Sequence, residues 1–350
     1  MGSRGKTIRL AIAAAVSALT LWLAARRVSL DDLRSAIGGA RLVWLLPYPV
    51  ICIALNIVRG EIWRRLLRRR VTTAQAFWAY SVGFLANNTL PFRLGEAARV
   101  VLLSQRADLP VVEVAAAAGL ERLLDMAALA LLLAIVAPFV AHVPGLGRAA
   151  AVIVVLVAAA VLAIAQVGRM RRLIGVDRLA RVVPRRVGHA AAKAWDDLAR
   201  GLAALVEPSI GVPAALGASV VWILTVALQW LVLRAFQPHA GAADAAFMVA
   251  AVSLASAVPA APGFVGVYHW AGQQSLVSAF PELYDASLAL AAATAAHALS
   301  YVTSTALGIA GLWYFGMPLS SVAGVVRRDD RVCPPEHAYG SDPAASTDAL

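Results

Sequence analysis

Apolar runs of bilayer length fill most of the 350-residue chain and leave it few ways to fold. They cover Ile8 to Ala25, Leu42 to Val58, Val111 to Val140, Ala149 to Val167, Val212 to Leu233, and a stretch within Leu283 to Phe315. Each is near or above the ~20 residues a helix needs to cross the hydrocarbon core. Only 15% of the residues are charged, against about a quarter in soluble domains. A membrane β-barrel would need alternating segments of about 10 residues, and the sequence has none. The pattern predicts an all-α polytopic membrane protein with about six spanning helices.

The charges fall between the runs. A net charge of +11 could point to nucleic acid, but the Arg residues cluster in the breaks, as the positive-inside rule requires. No nucleic-acid partner is therefore expected. "RGEIWRRLLRRR" closes the second run, the segment 168–207 follows the fourth, and Arg327 and Arg328 follow the last. Placing these in the cytoplasm puts both termini there. It also puts Arg26, Arg27 and Arg34 outside, where Asp31 and Asp32 dilute their charge. Within 168–207, Ala194, Leu198, Leu202 and Leu205 have the spacing of an amphipathic helix at the interface. Residues 1–320 form the membrane domain, and the polar, Pro-rich tail 321–350 reads as disordered and cytoplasmic. Cys52 and Cys333 make neither a disulfide framework nor a metal site.

This charge assignment requires Thr73 to Arg106 to enter and leave on the cytoplasmic side, and Asp244 to Phe280 on the external side. The two regions read alike, "AFWAYSVGFLANNTLPFRLGEAARV" and "AFMVAAVSLASAVPAAPGFVGVYHWAGQQ". Each is an apolar half-helix, a Pro, a Gly and a second half-helix. Two re-entrant hairpins result, with breaks at Pro91 and Gly95 and at Pro262, Gly263 and Gly266. The halves 41–140 and 210–316 form an inverted-topology repeat, a plan in which broken helices meet near the midplane. The alternative is two ordinary helical pairs with Pro-bearing loops.

The first hairpin carries the chemistry. A half-helix starting near Gly95 presents unpaired N–H groups and a partial positive charge. Arg93 and Arg99 beside it suit a phosphate-bearing head group, with Asn88 and Arg122 as further donors. Glu96 shares a face with Arg99 and suits an ion pair. Glu121 and Asp125, four apart on one face, are either a proton or cation site or partners for Arg93 and Arg99, because an unpaired charge at this depth is costly. The whole group could also be a structural ion-pair knot. His269 with Gln273, and His297 with Tyr301, are i,i+4 pairs that either line a polar cavity or pack the interior. There is no GxSxG, no Walker A pattern and no zinc-ligand spacing. No catalytic residue, metal or cofactor is expected, and the chain does not read as an enzyme.

"NNTLPFRLGEAAR", the later "ERLLD" and "PGFVGVYH" resemble the flippase-like transmembrane domain of the lysylphosphatidylglycerol synthases, over residues 8 to 316. The resemblance implies a multi-pass protein of the bacterial cytoplasmic membrane that handles an anionic-headed lipid, either a phospholipid or a polyprenyl- or hopanoid-pathway lipid. It would translocate that lipid between leaflets, present it as an accessory subunit to a separate biosynthetic enzyme or, third, act as a membrane-embedded transferase. It carries over to Asn88, Pro91, Arg93, Gly95, Glu96 and Arg99, to Glu121, Arg122 and Asp125, and to Pro262, Gly263 and Gly266. Many members read PGGxGxxE where this chain has Phe264 for the second Gly and His269 for the Glu. The aminoacyl-transferring domain of the full-length synthases is absent, so synthesis of lysyl-lipid is not expected.

Overall fold

The computed structural model describes residues 3–26, 28–90, 94–140, 142–143, 145–166, 185–257 and 261–319. Every regular element among them is helical: α1 (Ser3–Ala25), α2 (Leu30–Gly38), α3 (Tyr48–Leu66), α4 (Thr73–Thr89), α5 (Leu94–Ala107), α6 (Val111–Val136), α7 (Leu146–Ala165), α8 (Arg185–Val206), α9 (Pro208–Phe236), α10 (Ala242–Ala255), α11 (Val267–Ala279) and α12 (Ala286–Tyr314). Short 3₁₀ turns precede α3 (Leu42–Leu45), follow α6 (Ala137–Phe139) and precede α11 (Pro262–Phe264).

Five stretches among the described residues are long and apolar enough to cross a membrane: Leu42–Leu66, Val111–Phe139, Gly147–Ile164, Pro208–Phe236 and Ala286–Tyr314. The sixth expected span corresponds to α1, whose described apolar part is Ala14–Ala25. Much of the apolar surface faces outward. On α7, Val152, Val154, Val155, Leu156 and Leu162 are exposed, as a helix in contact with lipid requires. One boundary differs from the sequence reading. Pro47 opens α3, and the helix continues to Leu66 instead of stopping at Val58, so Arg59 lies inside it. Residues 167–184 of the basic segment and the tail from 320 lie outside the described residues. The rest of the basic segment is α8, which lies along the start of α6, with Gly201 against Ala116 and with Leu202 and Leu205 packed on the core.

Polar contacts fix which helix ends lie together. At one end, Thr73 at the start of α4 donates to Glu61 near the end of α3 (3.0 Å). Arg70 pairs with Glu113 at the start of α6, and Arg68 with Glu207 before α9 (2.7 Å). The Ser209 hydroxyl and Arg68 hold the Glu207 carboxyl below the usual carboxylate range. At the other end, Arg41 N–H donates to Ala235 O of α9 (2.7 Å), Tyr284 OH to Asp244 of α10 (3.0 Å), and His142 beyond α6 meets Ser278 O of α11 (3.3 Å). Helices α4 and α5 therefore form a hairpin that leaves and returns at the Arg-rich end. Helices α10 and α11 form one at the opposite end.

Both hairpins open by the same device, in which a side chain three residues into the helix reaches back to the backbone. Gln75 accepts from Thr72 N–H (2.9 Å) while Thr72 Oγ1 accepts from Gln75 N–H (3.1 Å). Asp244 accepts from Gly241 N–H (3.1 Å). Such a box satisfies N–H groups that a helix start leaves without partners. The neighbour relations repeat as well: α3 packs on α4 as α9 does on α10, α4 on α5 as α10 on α11, and α5 on α6 as α11 on α12. Across the halves, α3 packs on α9, α4 on α12 and α6 on α10.

Candidate functional site

Glu96 and Arg99, the charged residues described near the start of α5, do not stand free but are paired. They join α3 and α6 in one network. Arg59 of α3 donates to Glu121 Oε1 (2.7 Å) and Asp125 Oδ2 (3.3 Å) of α6. Arg99 of α5 meets Glu121 Oε2 (3.0 Å) and Glu96 Oε2 (2.5 Å). Arg122 closes the ring, pairing with Glu96 and with Asp125 Oδ2 (3.3 Å). Three guanidinium groups thus meet three carboxylates. Indole groups take remaining lone pairs: Trp63 Nε1 donates to Glu121 Oε2 (2.9 Å) and Trp222 Nε1 of α9 to Asp125 Oδ1 (3.1 Å). Both Arg59 and Arg99 sit over the Tyr80 ring of α4, 5.2 and 4.6 Å from its centroid. Such cation–π contacts are strongest where water is excluded.

The network lies deep. Glu121 is ten residues from the start of α6, or about 15 Å along the helix. Its side chain is 2% exposed and that of Arg99 is 4% exposed. Burying charge is tolerated only when each ion is paired and hydrogen-bonded. The outer edge is different, since the Glu96 and Arg122 side chains are 31% and 46% exposed.

Asn87 and Gly95 bring the network together. Asn87 ends the first half-helix and accepts from Gly95 N–H (2.9 Å), capping α5 across the break. A Cβ at Gly95 would stand 1.9 Å from Gly83 O, so α4 and α5 cross at a distance only glycine permits there. Pro91 and Arg93, between the two half-helices, lie outside the described residues.

The tips of both hairpins meet at the middle of α12. Asn88 Nδ2 donates to Ser304 Oγ and Thr305 Oγ1 (both 3.0 Å), and Tyr301 OH donates to Asn88 O (3.2 Å). From the second hairpin, Gly263 O lies 2.7 Å from His297 Nε2. Gly263 has φ +69°, and a Cβ there would stand 2.8 Å from the Tyr301 ring. His297 stacks on Tyr268 (centroids 4.7 Å) and meets His269 edge-on (4.9 Å). Replacing Tyr301 by Phe is expected to lower stability by about 0.5–1.5 kcal/mol, the usual worth of one hydrogen bond, as read from thermal unfolding in detergent.

The family model described as lysylphosphatidylglycerol synthase TM region matches residues 10–308. The chain belongs to this family. No curated protein and no solved structure matches it. Within this lysylphosphatidylglycerol synthase TM member, Phe264 and His269 have distinct surroundings. Phe264 holds φ +58°, a region that a glycine enters freely and a bulky side chain does not. His269 turns its Nδ1 back to Gly266 N–H (3.3 Å), so the ring closes the start of α11. Gln273 is buried and donates to Ala24 O of α1 (3.0 Å) and Ala286 O (2.9 Å). Pro262 opens the 3₁₀ turn between the second pair of half-helices, and Gly266 follows it as the residue that caps α11.

Arg59, Trp63, Tyr80 and Trp222 escape sequence reasoning. Arg59 follows an apolar run and precedes five more Arg, so it reads as one more interfacial charge. The missed signal was its distance from the end of the helix, once that end is taken as Leu66.

Proposed function

We propose that this membrane domain binds a lipid with an anionic head group and moves it between leaflets. The observation that carries this reading is the half-open ion network at the mouth of the first hairpin. Arg99 of α5 and Arg122 of the spanning-length helix α6 stand beside the start of α5, among apolar helices where a charge needs a purpose. In this reading α4–α5 and α10–α11 are re-entrant hairpins, and their contact at the centre of α12 is the midplane of an inverted repeat. The Arg-rich end faces the cytoplasm.

A place for the tails supports the reading. An open apolar crevice of about 690 Å³ lies between α6, α9 and α10, lined by Ala128, Leu131, Ile135, Trp222, Ile223 and Ala246 among others. Trp222 joins the two features, because it walls the crevice and donates to Asp125 of the network. Arg122 and Ala128 are six residues apart on α6, about 9 Å. We infer that one lipid keeps its head at Arg122 and a chain in the crevice, with Trp222 between the two.

The test is reconstitution in liposomes with labelled phosphatidylglycerol. The protein is expected to accelerate movement between leaflets, and Arg122→Ala to return the rate to that of empty liposomes. Folded protein that binds the lipid without moving it overturns translocation and favours an accessory subunit presenting lipid to a separate enzyme.

A further inference from the structure

We propose that Glu96 is a built-in plug, whose carboxylate occupies the position of a ligand's phosphate and must be displaced for the site to load. The inference rests on the reading that this site takes an anionic head group.

Glu96 differs from the other two carboxylates of the network. Asp125 is held by Arg59, Arg122 and the Trp222 indole. Glu121 is held by Arg59, Arg99 and the Trp63 indole, and it is enclosed. Among the described residues Glu96 has only guanidinium partners, one oxygen on Arg99 and one on Arg122, and no indole contact. It is also the most exposed of the three, at 31% against 11% and 2%. A carboxylate bridging two guanidinium groups has the geometry of a phosphate bridging the same pair.

The space and the charge agree with this. The small cavity beside Glu96, walled by Tyr80, Phe84, Asn87, Arg99 and Arg122, has about 10 Å³ of free room. That holds about one water and no head group while Glu96 stays in place. Arg99 is 3% exposed and lines this cavity, and its Nε–H has no hydrogen-bond partner among the described residues. An unfilled donor on a buried guanidinium is what a larger oxyanion would find. Among the described residues, with Glu96 in place, Arg59, Arg99 and Arg122 balance Glu96, Glu121 and Asp125, so the network is neutral. With Glu96 turned out to solvent, three positive charges face two negative ones, and the site holds +1. The ligand that restores neutrality carries a single negative charge, as a phosphodiester does. Between loading events the plug gives Arg99 and Arg122 a second carboxylate each, beside Glu121 and Asp125, so that no net charge stands in the network.

The measurement is native mass spectrometry of lipid binding to the full chain in a neutral maltoside detergent. Glu96→Gln keeps the side-chain shape and removes the competing charge. It is expected to tighten the apparent Kd for phosphatidylglycerol about two- to thirtyfold, the range set by losing two partly exposed ion pairs. Glu96→Asp should bind as the parent does, and Arg122→Ala added to Glu96→Gln should abolish the gain. Inorganic phosphate is run alongside. Tighter binding of the lipid but not of phosphate assigns the site to a lipid head. The same gain for phosphate keeps the plug and overturns the lipid as its ligand. Glu96→Gln that unfolds at the parent's temperature and binds no tighter overturns the plug. That failure is separate from failure of the translocation reading, which turns on the liposome rates of the parent and of Arg122→Ala.

Discussion

Glu121→Gln is expected to destabilise the protein by about 3–5 kcal/mol, because it leaves Arg59 and Arg99 facing each other with no anion between them. The substitution keeps volume and shape, so it opens no cavity, and the effect is the uncompensated charge. Arg59 and Arg99 share no other bridging carboxylate: Asp125 serves Arg59, and Glu96 serves Arg99. The control is Glu61→Gln. Glu61 also pairs with two arginines, Arg64 and Arg65, but its side chain is 31% exposed, so its loss should fall within about 1 kcal/mol. Thermal unfolding of both variants in detergent checks the contrast, and equal shifts would show that the depth of the network is unimportant. Combining Arg59→Gln with Glu121→Gln should be milder than the sum of the two, since neighbours in one network are not additive.

The contrast also marks where sequence reasoning stops. The helix pairs α4–α5 and α10–α11 were legible from Pro and Gly punctuation and from the half length of the apolar runs on either side of it. Both are local or cumulative signals. Family membership was legible for the same reason, because the motifs are contiguous. The pairing of Glu121 with Arg99 was open to sequence as one of two readings, since charges in a spanning helix need partners. Its pairing with Arg59 was not. Arg59 is 62 residues away and looks like part of a basic loop, and only the packing of α3 on α6 brings it in. Trp222, 97 residues from Asp125, carries no polar signature in an apolar run. Asn88 shows the other limit. Sequence marks an amide as polar, but which acceptors surround it is decided by α12, more than 200 residues later, where Ser304 and Thr305 accept its hydrogen bonds. The amide then joins the tip of one hairpin to the helix on which the other also rests.

Gly95→Ala tests whether the site depends on that hairpin geometry or only on its charges. The new Cβ would lie 1.9 Å from Gly83 O and 2.6 Å from the Asn87 amide oxygen, and the nearest obstacle is backbone that cannot rotate away. Helix α5 must shift outward, which breaks the Asn87 cap and withdraws Glu96 and Arg99 from α6 together. Overpacking of this kind costs about 1–3 kcal/mol even when side chains can adjust, and here they cannot, so the loss should reach or exceed the upper value. Translocation in liposomes should vanish although every charge is still present. Gly83→Ala, on the facing helix, meets its nearest atoms at 3.0 to 3.2 Å, two of them on the Arg99 side chain, and should give an intermediate loss. Gly119→Ala, on α6, has nothing within 4 Å. It should stabilise the helix by up to about 1 kcal/mol, since alanine is the better helix former. The order Gly95, Gly83, Gly119 in both unfolding temperature and lipid movement is the expected result. Full activity in Gly95→Ala would mean that the close crossing of α4 and α5 does not position the ion network.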